Sequence, residues 1–371
     1  MYRPTVAQID LAAIRGNLQA IRRCLASGTE VIGIVKADAY GHGAVRVAEV
    51  LEQERIRLLA VATPDEAVEL REAGIATEIL VLGHAPADFV PYAIRHNVTL
   101  TTDGHATAVM YAAAAESGRL RVHYKVDTGM GRAGVLADRA VEQIMESATL
   151  ANIDIVGLYS HLASAESDPD LTAMQAERFA EVVRDVRAGG LHPAMVHLAN
   201  SAGIFSVHGS PLDGVRPGIL LYGLSPAASL AQACRVQPSL SLLTRLEVVK
   251  DLPCGHGIGY GRTFVTDRPT RMGLIPIGYA DGYPRSLSNR ASVIVHGRLV
   301  PVVGRVSMDV AAIDVTDVPA ATPGDLVTLI GQQDGLCITA AELAELAGTI
   351  SYEIITGISK RVPRIYIDRQ S

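Results

Sequence analysis

Through the first two-thirds of the chain, short apolar runs alternate with stretches whose apolar residues return every three or four positions. Runs at 31–35 (VIGIV), 57–62 (RLLAVA), 78–82 (EILVL) and 97–100 (NVTL) have the length and composition of buried strands. Those at 121–126 (RVHYKV), 153–158 (IDIVGL), 194–198 (AMVHL) and 213–216 (DGVR) continue the series. Helical spacing separates most of them. Leu11, Ile14, Leu18, Ile21 and Leu25 share one face of a helix that Asp10 is placed to cap. The segment TPDEAVELREAG supplies Thr63 as N-cap, Pro64 at the first helical position, Glu66 to close a capping box and Gly74 as a stop. Longer helical patterns fit 103–116, 136–148 and 170–188. Eight strands alternating with helices predict an α/β fold, a TIM-type (β/α)8 barrel in preference to a doubly wound sheet. The runs at 97–100 and 213–216 are its shortest and most ambiguous members.

Near residue 240 the texture changes. LLTRLEVVK, GLIPIG, ASVIVHG, LVPVVGRVSM, VAAIDV and LVTLIG are β-rich runs split by Gly, Pro and Asp. Only TAAELAELAG reads as a helix there, with Thr339 and Glu342 forming another capping box. The organisation expected is a barrel over 1–240 and a mostly β domain over 241–371. Residues 2–9, which precede the first helix, are a candidate strand for the β domain.

Composition narrows the function classes. The 371 residues are 49% hydrophobic and 19% charged, as in an ordinary globular protein. A net charge of −6 without a basic run gives nucleic-acid binding no support, and Trp is absent. No apolar run approaches the ~18 residues of a membrane span. The start MYRPTVAQIDL lacks the charged-then-apolar layout of a signal peptide. Cys24, Cys234, Cys254 and Cys337 are far apart in sequence and form no C-x-x-C pair or metal-like cluster. A cytoplasmic protein with reduced thiols and no metal is expected.

The residues that sit oddly in this pattern fall where a barrel keeps its chemistry, at the C-terminal ends of strands. Lys36 follows the first strand, where a buried ammonium is costly unless paired or neutralised. Arg132 in DTGMGR follows the fifth and His161 in SHLASAE the sixth. His197, Asn200 and Ser201 in HLANSAG follow the seventh, and Arg216 in RPGILLYG the eighth. Asn200 and Ser201 at the start of a short helix, with the backbone N–H groups of Gly218 and Ile219, make a phosphate cradle. Taken singly, a strand-end lysine is most often snorkelling or ion-paired, and a buried histidine is an ordinary core residue. Their joint placement at one rim points instead to pyridoxal 5'-phosphate (PLP), whose aldehyde needs a lysine and whose phosphate needs an anchor. GHGIGYG (255–261) is followed by β-like residues and does not read as a dinucleotide loop. Lys125, a second lysine within an apolar strand, is equally readable as an ion-paired residue.

Eight strings, in order, carry a resemblance: VIGIVKADAYGHGA, KVDTGMGR, HLANSAG, VRPGILLYG, GIGYGRTF, IPIGYADGYPR, GRVSMD and SYEIITGISKRVPR. Across nearly the full length the chain resembles the alanine racemase family. The resemblance implies a PLP-binding barrel followed by a β domain. It also implies a head-to-tail homodimer whose two sites each draw on both subunits, interconverting L- and D-alanine and, in a bacterium, feeding peptidoglycan. By motif, Lys36 matches the lysine that carries PLP and Tyr260 the second catalytic base. Tyr40, Ser201, Gly218, Ile219 and Tyr352 would hold the phosphate, and Arg216 would face the pyridine nitrogen. Arg132 matches a residue touching the cofactor's phenolic oxygen and the substrate carboxylate. Met308 and Asp309 match the partner loop near that carboxylate, and Tyr279 the access corridor. Lys125 stands where many members carry a carbamylated lysine, which would pair with Arg132.

Racemisation needs a proton removed from one face of Cα and another returned to the opposite face, hence two flanking bases. A phenol, with a pKa of ~10, acts as a base only beside positive charge. A chain from Tyr260 through His161 to Arg216, with His197 behind it, would supply that charge. Arginine does not readily release a proton, so an arginine facing the pyridine nitrogen argues for racemisation over decarboxylation or transamination. Ser160, Glu166, Ser307 and His256 depart from the family's usual residues. These departures leave a racemase preferring serine or a basic amino acid as the alternative.

Overall fold

A computed structural model describes residues 3–116, 118–207 and 212–368. The chain divides into two compact units. One comprises Ile14–Ala39 and Ala44–Gln237; the other comprises the chain up to Ala13, Tyr40–Gly43 and everything from Pro238.

The first strand, β1 (Val6–Asp10), belongs to the second unit. The first unit is built on β2 (Glu30–Val31), β3 (Gly33–Ile34), β4 (Leu58–Val61), β5 (Glu78–Val81) and β6 (Val98–Thr102). It continues with β7 (Leu120–Asp127), the short β8 (Val135–Leu136), β9 (Ile153–Tyr159), β10 (Met195–His197) and β11 (Gly214–Val215). All pair in parallel, in the order β2-β11-β10-β9-β7-β6-β5-β4-β3, with β8 alongside β7. The two ends of this order, β2 and β3, are halves of one extended run parted at Ile32. The Ile32 N–H still reaches the Val215 carbonyl at 2.9 Å, and the Val35 N–H reaches Ala60 at 2.9 Å. The sheet is therefore a nearly closed parallel barrel, as the alternation of runs predicts. From Val98 on, the ambiguous run at 97–100 is part of the fully buried strand β6, while that at 213–216 contributes two paired residues.

Local signals explain where the helices begin. Asp10 Oδ1 accepts the Ala13 N–H at 3.1 Å, starting the helix Leu11–Arg23. Thr63 caps Pro64–Glu72 through a reciprocal capping box with Glu66. The longer helical patterns are His105–Ala114, Ala137–Ser147 and Pro169–Ala188.

The second unit contains β12 (Leu240–Arg245), β13 (Val248–Leu252), β14 (Gly257–Ile258), β15 (Phe264–Val265), β16 (Thr270–Ile275) and β17 (Ser292–Val295). After these come β18 (Arg298–Val303), β19 (Ala311–Asp314), β20 (Leu326–Gln333), β21 (Leu336–Ile338) and β22 (Arg364–Ile367). The main sheet runs β13-β16-β19-β18-β17-β20-β12-β1-β22, with β21 beside β20. β1 lies antiparallel to β12, Ala7 opposite Leu242, and parallel to β22, Ile9 opposite Tyr366. Tyr2, part of the candidate N-terminal strand, lies outside the described residues. The glycine-rich segment 255–261 feeds a two-stranded hairpin, β14 with β15. Thr339 caps Ala340–Ala347 with Glu342. A helix the sequence reading did not expect, Ser351–Thr356, follows it. Its Ile354 and Ile355 are buried, and paired β-branched residues read as strand until packing decides otherwise. Among the described residues no helix is long and apolar enough to cross a membrane, and no group of His, Cys, Asp or Glu could hold a metal ion.

Candidate active site

Lys36 closes the first barrel run and opens a turn with the wrong hand. Ala37, Asp38, Ala39 and Tyr40 have φ of 53°, 52°, 51° and 54°, and Gly41 follows at 80°. Four consecutive L-residues in the left-handed region are disfavoured by roughly 1–2 kcal/mol each. Specific bonds hold them there. Glu66 Oε1 accepts the Ala37 N–H at 2.6 Å, Asp38 Oδ1 accepts the Ala44 N–H at 2.7 Å, and the Val35 carbonyl accepts the Ala39 N–H at 2.8 Å. The carboxylate that completes the Thr63 capping box thus also anchors the residue after Lys36. Burial, then the Arg132 cation and, more weakly, Arg216, push the Lys36 ammonium below the ordinary lysine value, against an opposing pull from Glu66.

Arg216 stands at the end of β11 and is 4% exposed. Its NH1 donates to His197 Nδ1 at 2.5 Å. Its NH2 donates to His161 Nδ1 at 3.1 Å and to the Ser160 and Leu198 carbonyls at 2.7 and 2.9 Å. An arginine only donates, so both imidazoles accept through Nδ1 and, being neutral, carry their proton on Nε2. Neutrality follows from the surroundings. Burial first, then Arg216, Arg132, Lys125 and Lys36, push His161 down to about 2, and burial and Arg216 drive His197 far below its usual range. Burial lowers Arg216 itself to about 10, which leaves it charged at neutral pH.

Lys125, in β7, lies 5.7 Å from the Tyr159 ring centroid. Burial, then Arg132 and Arg216, bring it down to about 8 against an opposing Asp127. Asp127 shapes the loop that carries Arg132. Its carboxylate accepts the N–H groups of Gly129, Met130, Gly131 and Arg132 at 2.8–3.2 Å. Burial alone would raise that carboxyl; the four backbone bonds outweigh it and hold it below the ordinary value. Arg132 is exposed at the tip.

After β10, Asn200 Oδ1 accepts the Gly203 N–H at 2.9 Å, starting the short helix Gly203–Ser206. Ser201 Oγ accepts the Gly218 N–H at 3.0 Å and the Leu220 N–H at 3.4 Å. The hydroxyl and the glycine backbone of the expected cradle are therefore neighbours, and Ile219 begins the turn Ile219–Tyr222 beside them.

The remaining candidates belong to the second unit. Tyr40 and Tyr352 have ring centroids 6.0 Å apart, and burial, then Tyr352, raise the Tyr40 phenol. Tyr260 starts the turn Tyr260–Arg262 between Gly259 and Gly261, both at φ 70°, and is 72% exposed. Tyr279 and Met308 are also exposed, as is Asp309. Backbone bonds join their loops: the Tyr279 N–H donates to Ser307 and the Ala280 N–H to Met308, both at 3.0 Å. Buried Asp281 ties Arg3 at 2.5 Å and Arg361 at 3.5 Å, and Arg361 reaches Asp309 at 2.7 Å. Of the four departures, Ser160 lends its carbonyl to Arg216, whereas Glu166 and His256 are exposed and Ser307 is half-buried.

Sequence reasoning missed three contributors. Asp127 organises the Arg132 loop, Tyr159 stacks on His197 at 4.9 Å and 3°, and His123 bonds His197 at 2.9 Å. Asp127 had a findable signal, an Asp followed by T-G-M-G. The other two sit inside strands and look like core.

Comparison with known proteins bears on the whole chain. The family pattern "Alanine racemase, N-terminal domain" matches residues 9–226, and "Alanine racemase, C-terminal domain" matches 239–366. The chain is 43% identical over 367 residues to the "Alanine racemase" of Halothermothrix orenii, covering 98% of this chain and 97% of that one. It is 41% identical over 371 residues to "Alanine racemase 2" of Caldanaerobacter subterraneus subsp. tengcongensis, covering 99% and 96%. Among solved structures, the alanine racemase of Clostridium difficile 630 superposes with a TM-score of 0.94 at 34% identity, covering 100% of this chain and 97% of that one. The alanine racemase of Bacillus anthracis with bound L-Ala-P gives 0.94 at 37% identity, with the same coverage. Barrel, sheet domain, ordered motifs and full-length identity agree, and the chain belongs to the alanine racemase family.

Proposed function

We propose that this protein interconverts L- and D-alanine with PLP as cofactor, as a homodimer whose two sites each draw residues from both subunits. The observation that carries this reading is a buried arginine, bonded to two neutral histidines, at a barrel mouth that also holds a lysine below its ordinary pKa. When bound, PLP supplies an aldehyde that captures amino groups and a ring that draws electrons from Cα. The donor set fits it. Lys36 offers an amine for the aldehyde. Ser201 Oγ, accepting the Gly218 N–H, keeps its own O–H to donate to the phosphate beside the Gly218–Ile219 backbone, with Asn200 bracing their turn. Tyr40 and Tyr352 add two phenols for the same phosphate.

Each residue then has a physical task. Lys36 Nζ exchanges a proton on one face of Cα, the face assigned to D-alanine. Tyr260 Oη of the partner subunit exchanges a proton on the opposite face, assigned to L-alanine. His161, accepting from Arg216 through Nδ1, has an Nε2–H to offer that phenol and conveys the arginine's positive influence to it. Arg216 would face the pyridine nitrogen as a donor that stays charged, and so would deliver no proton there. That restraint favours returning a proton to Cα over losing the carboxylate. His197 fixes the guanidinium from behind. Arg132 receives the substrate carboxylate, the partner's loop at Met308 and Asp309 lies near it, and Tyr279 lines the corridor. Lys125, an amine brought down to about 8, is basic enough and free enough of protons to take up CO2; the carbamate would pair with Arg132.

Exposure supports the shared site, because Tyr260 and Met308 are 72% and 52% exposed on one unit, as surfaces awaiting a partner are. A cytoplasmic location and supply of D-alanine for peptidoglycan complete the reading. The test is enantiomeric composition over time, with PLP-loaded protein given L-alanine, L-serine or L-lysine separately. Alanine running fastest toward equal L and D forms supports the proposal. Faster serine or lysine would move the substrate to the alternative racemase, and racemisation of none would overturn the reading.

A further inference from the structure

We propose that His123 is a positioning residue for the reaction: by accepting the His197 Nε2–H it holds in place a ring whose tautomer Arg216 sets, and through that ring it holds the Arg216 guanidinium. The proposal rests on the racemase reading and extends it one residue deeper into the barrel. The donors along this path are compulsory. Arg216 NH1 gives a proton to His197 Nδ1, which leaves the His197 proton on Nε2. His197 Nε2 lies 2.9 Å from His123 Nδ1. With Nε2 donating, His123 Nδ1 must accept, and His123 in turn carries its proton on Nε2. Donation therefore runs in one direction, from the guanidinium through two imidazoles. The opposite tautomer of His197 would set an imidazole N–H against a guanidinium N–H, two donors head to head in a buried site.

The barrel is shaped to hold His123 in this place. The register of β7 against β9 shifts between Val122, opposite Ile155, and His123, opposite Gly157. A Cβ on Gly157 would stand 2.5 Å from three atoms of the His123 ring, closer than real contacts allow, so glycine there makes room for the imidazole. Tyr159 lies parallel to His197 at 4.9 Å and restricts its rotation. His197 and His123 are 0% and 2% exposed. Burial, then the Arg121 and Arg216 cations, bring His123 down to about 3, so it does not take the second proton that would block acceptance.

The decisive experiment uses PLP-loaded protein labelled with 15N-histidine, with His197→Asn and His123→Gln identifying the two signals. The expected result is the Nε2–H pattern for both His197 and His123, unchanged from about pH 6 to 8. His123→Gln, whose amide oxygen can accept, is expected to keep His197 on Nε2 and most of the racemase activity. His123→Leu leaves the His197 N–H buried without an acceptor, and kcat is expected to fall about tenfold or more, with KM for alanine changed less. A wild-type His197 protonated on Nδ1 or on both nitrogens would overturn the proposal, as would His123→Leu with wild-type kcat. If His123→Leu does not fold, the wild-type pattern and the glutamine variant decide. A wild-type protein that fails to racemise alanine overturns the functional reading on a separate readout, since the tautomers are measured without substrate.

Discussion

Ala37→Gly is expected to stabilise this protein, the opposite of what the same exchange does in an ordinary helix. Ala37 has φ 53° and opens the left-handed turn behind Lys36. An L-residue in that region costs roughly 1–2 kcal/mol that glycine avoids. Glycine loses more backbone freedom on folding, which costs roughly 0.5–1 kcal/mol. The Ala37 side chain is exposed, so no burial is forfeited. The balance is a gain of about 0.5–1 kcal/mol, or a Tm rise of about 1 °C for a chain of this length. Ala173 is the internal control, being exposed within the right-handed helix Pro169–Ala188, and Ala173→Gly should cost about 1 kcal/mol. Ala39 is a harder case, because its methyl is 0% exposed and its loss offsets the relief. The assay is thermal and urea unfolding at one fixed PLP concentration, since ligand shifts apparent stability. If Ala37→Gly destabilises as much as Ala173→Gly, the turn stores no strain and the reasoning fails. Because Lys36 directly precedes the relaxed residue, a lower kcat should accompany the higher Tm.

Three further outcomes follow from the site. Arg216→Leu leaves two imidazoles and two carbonyls without their donor, at about 1–3 kcal/mol for each group left unsatisfied; Tm should drop steeply and racemisation should be lost together. In CO2-free buffer, where Lys125 keeps a free amine, it is about 8 in the folded protein against an ordinary 10.5, so the unfolded chain binds the extra proton between those values and stability should rise with pH across that window. Lys125→Met should flatten the rise in urea-unfolding curves, and an unchanged slope would contradict the assignment. Cys24, Cys254 and Cys337 are exposed whereas Cys234 is buried with its thiol pushed up to about 12. Cys24 and Cys254 should therefore react quickly with a chromogenic disulfide, Cys337, whose thiol burial and Glu342 push up, more slowly, and Cys234 only after denaturation.

The barrel was legible because parallel strands buried on both faces become continuous apolar runs, with Pro, Gly and capping residues marking the helices between them. VIGIV and IDIVGL are strands for that reason, and Thr63 and Thr339 cap where their spacing to glutamate says they should. What stayed hidden depends on contacts far apart in the chain. Nothing in A-D-A-Y announces a left-handed turn, because Glu66 and Ala44, not local propensity, hold it. His123 within RVHYKV looks like any core histidine until His197 and Gly157 are brought against it. In the site, strand-end position singled out Lys36, Arg132, His161, His197 and Arg216. Tyr260, Tyr279, Met308 and Asp309 came only from the resemblance, since exposed loop residues leave no periodic trace.

If two bases from two subunits flank one Cα, co-expression of Lys36→Ala chains with Tyr260→Phe chains restores activity by complementation. Either variant alone should be nearly inactive. In a mixed dimer with shared sites, one site carries both substitutions and the other carries none. Random pairing then predicts about a quarter of wild-type racemase activity in the mixture. A mixture no more active than the separate variants would show that Lys36 and Tyr260 do not meet across subunits and would overturn the two-subunit site.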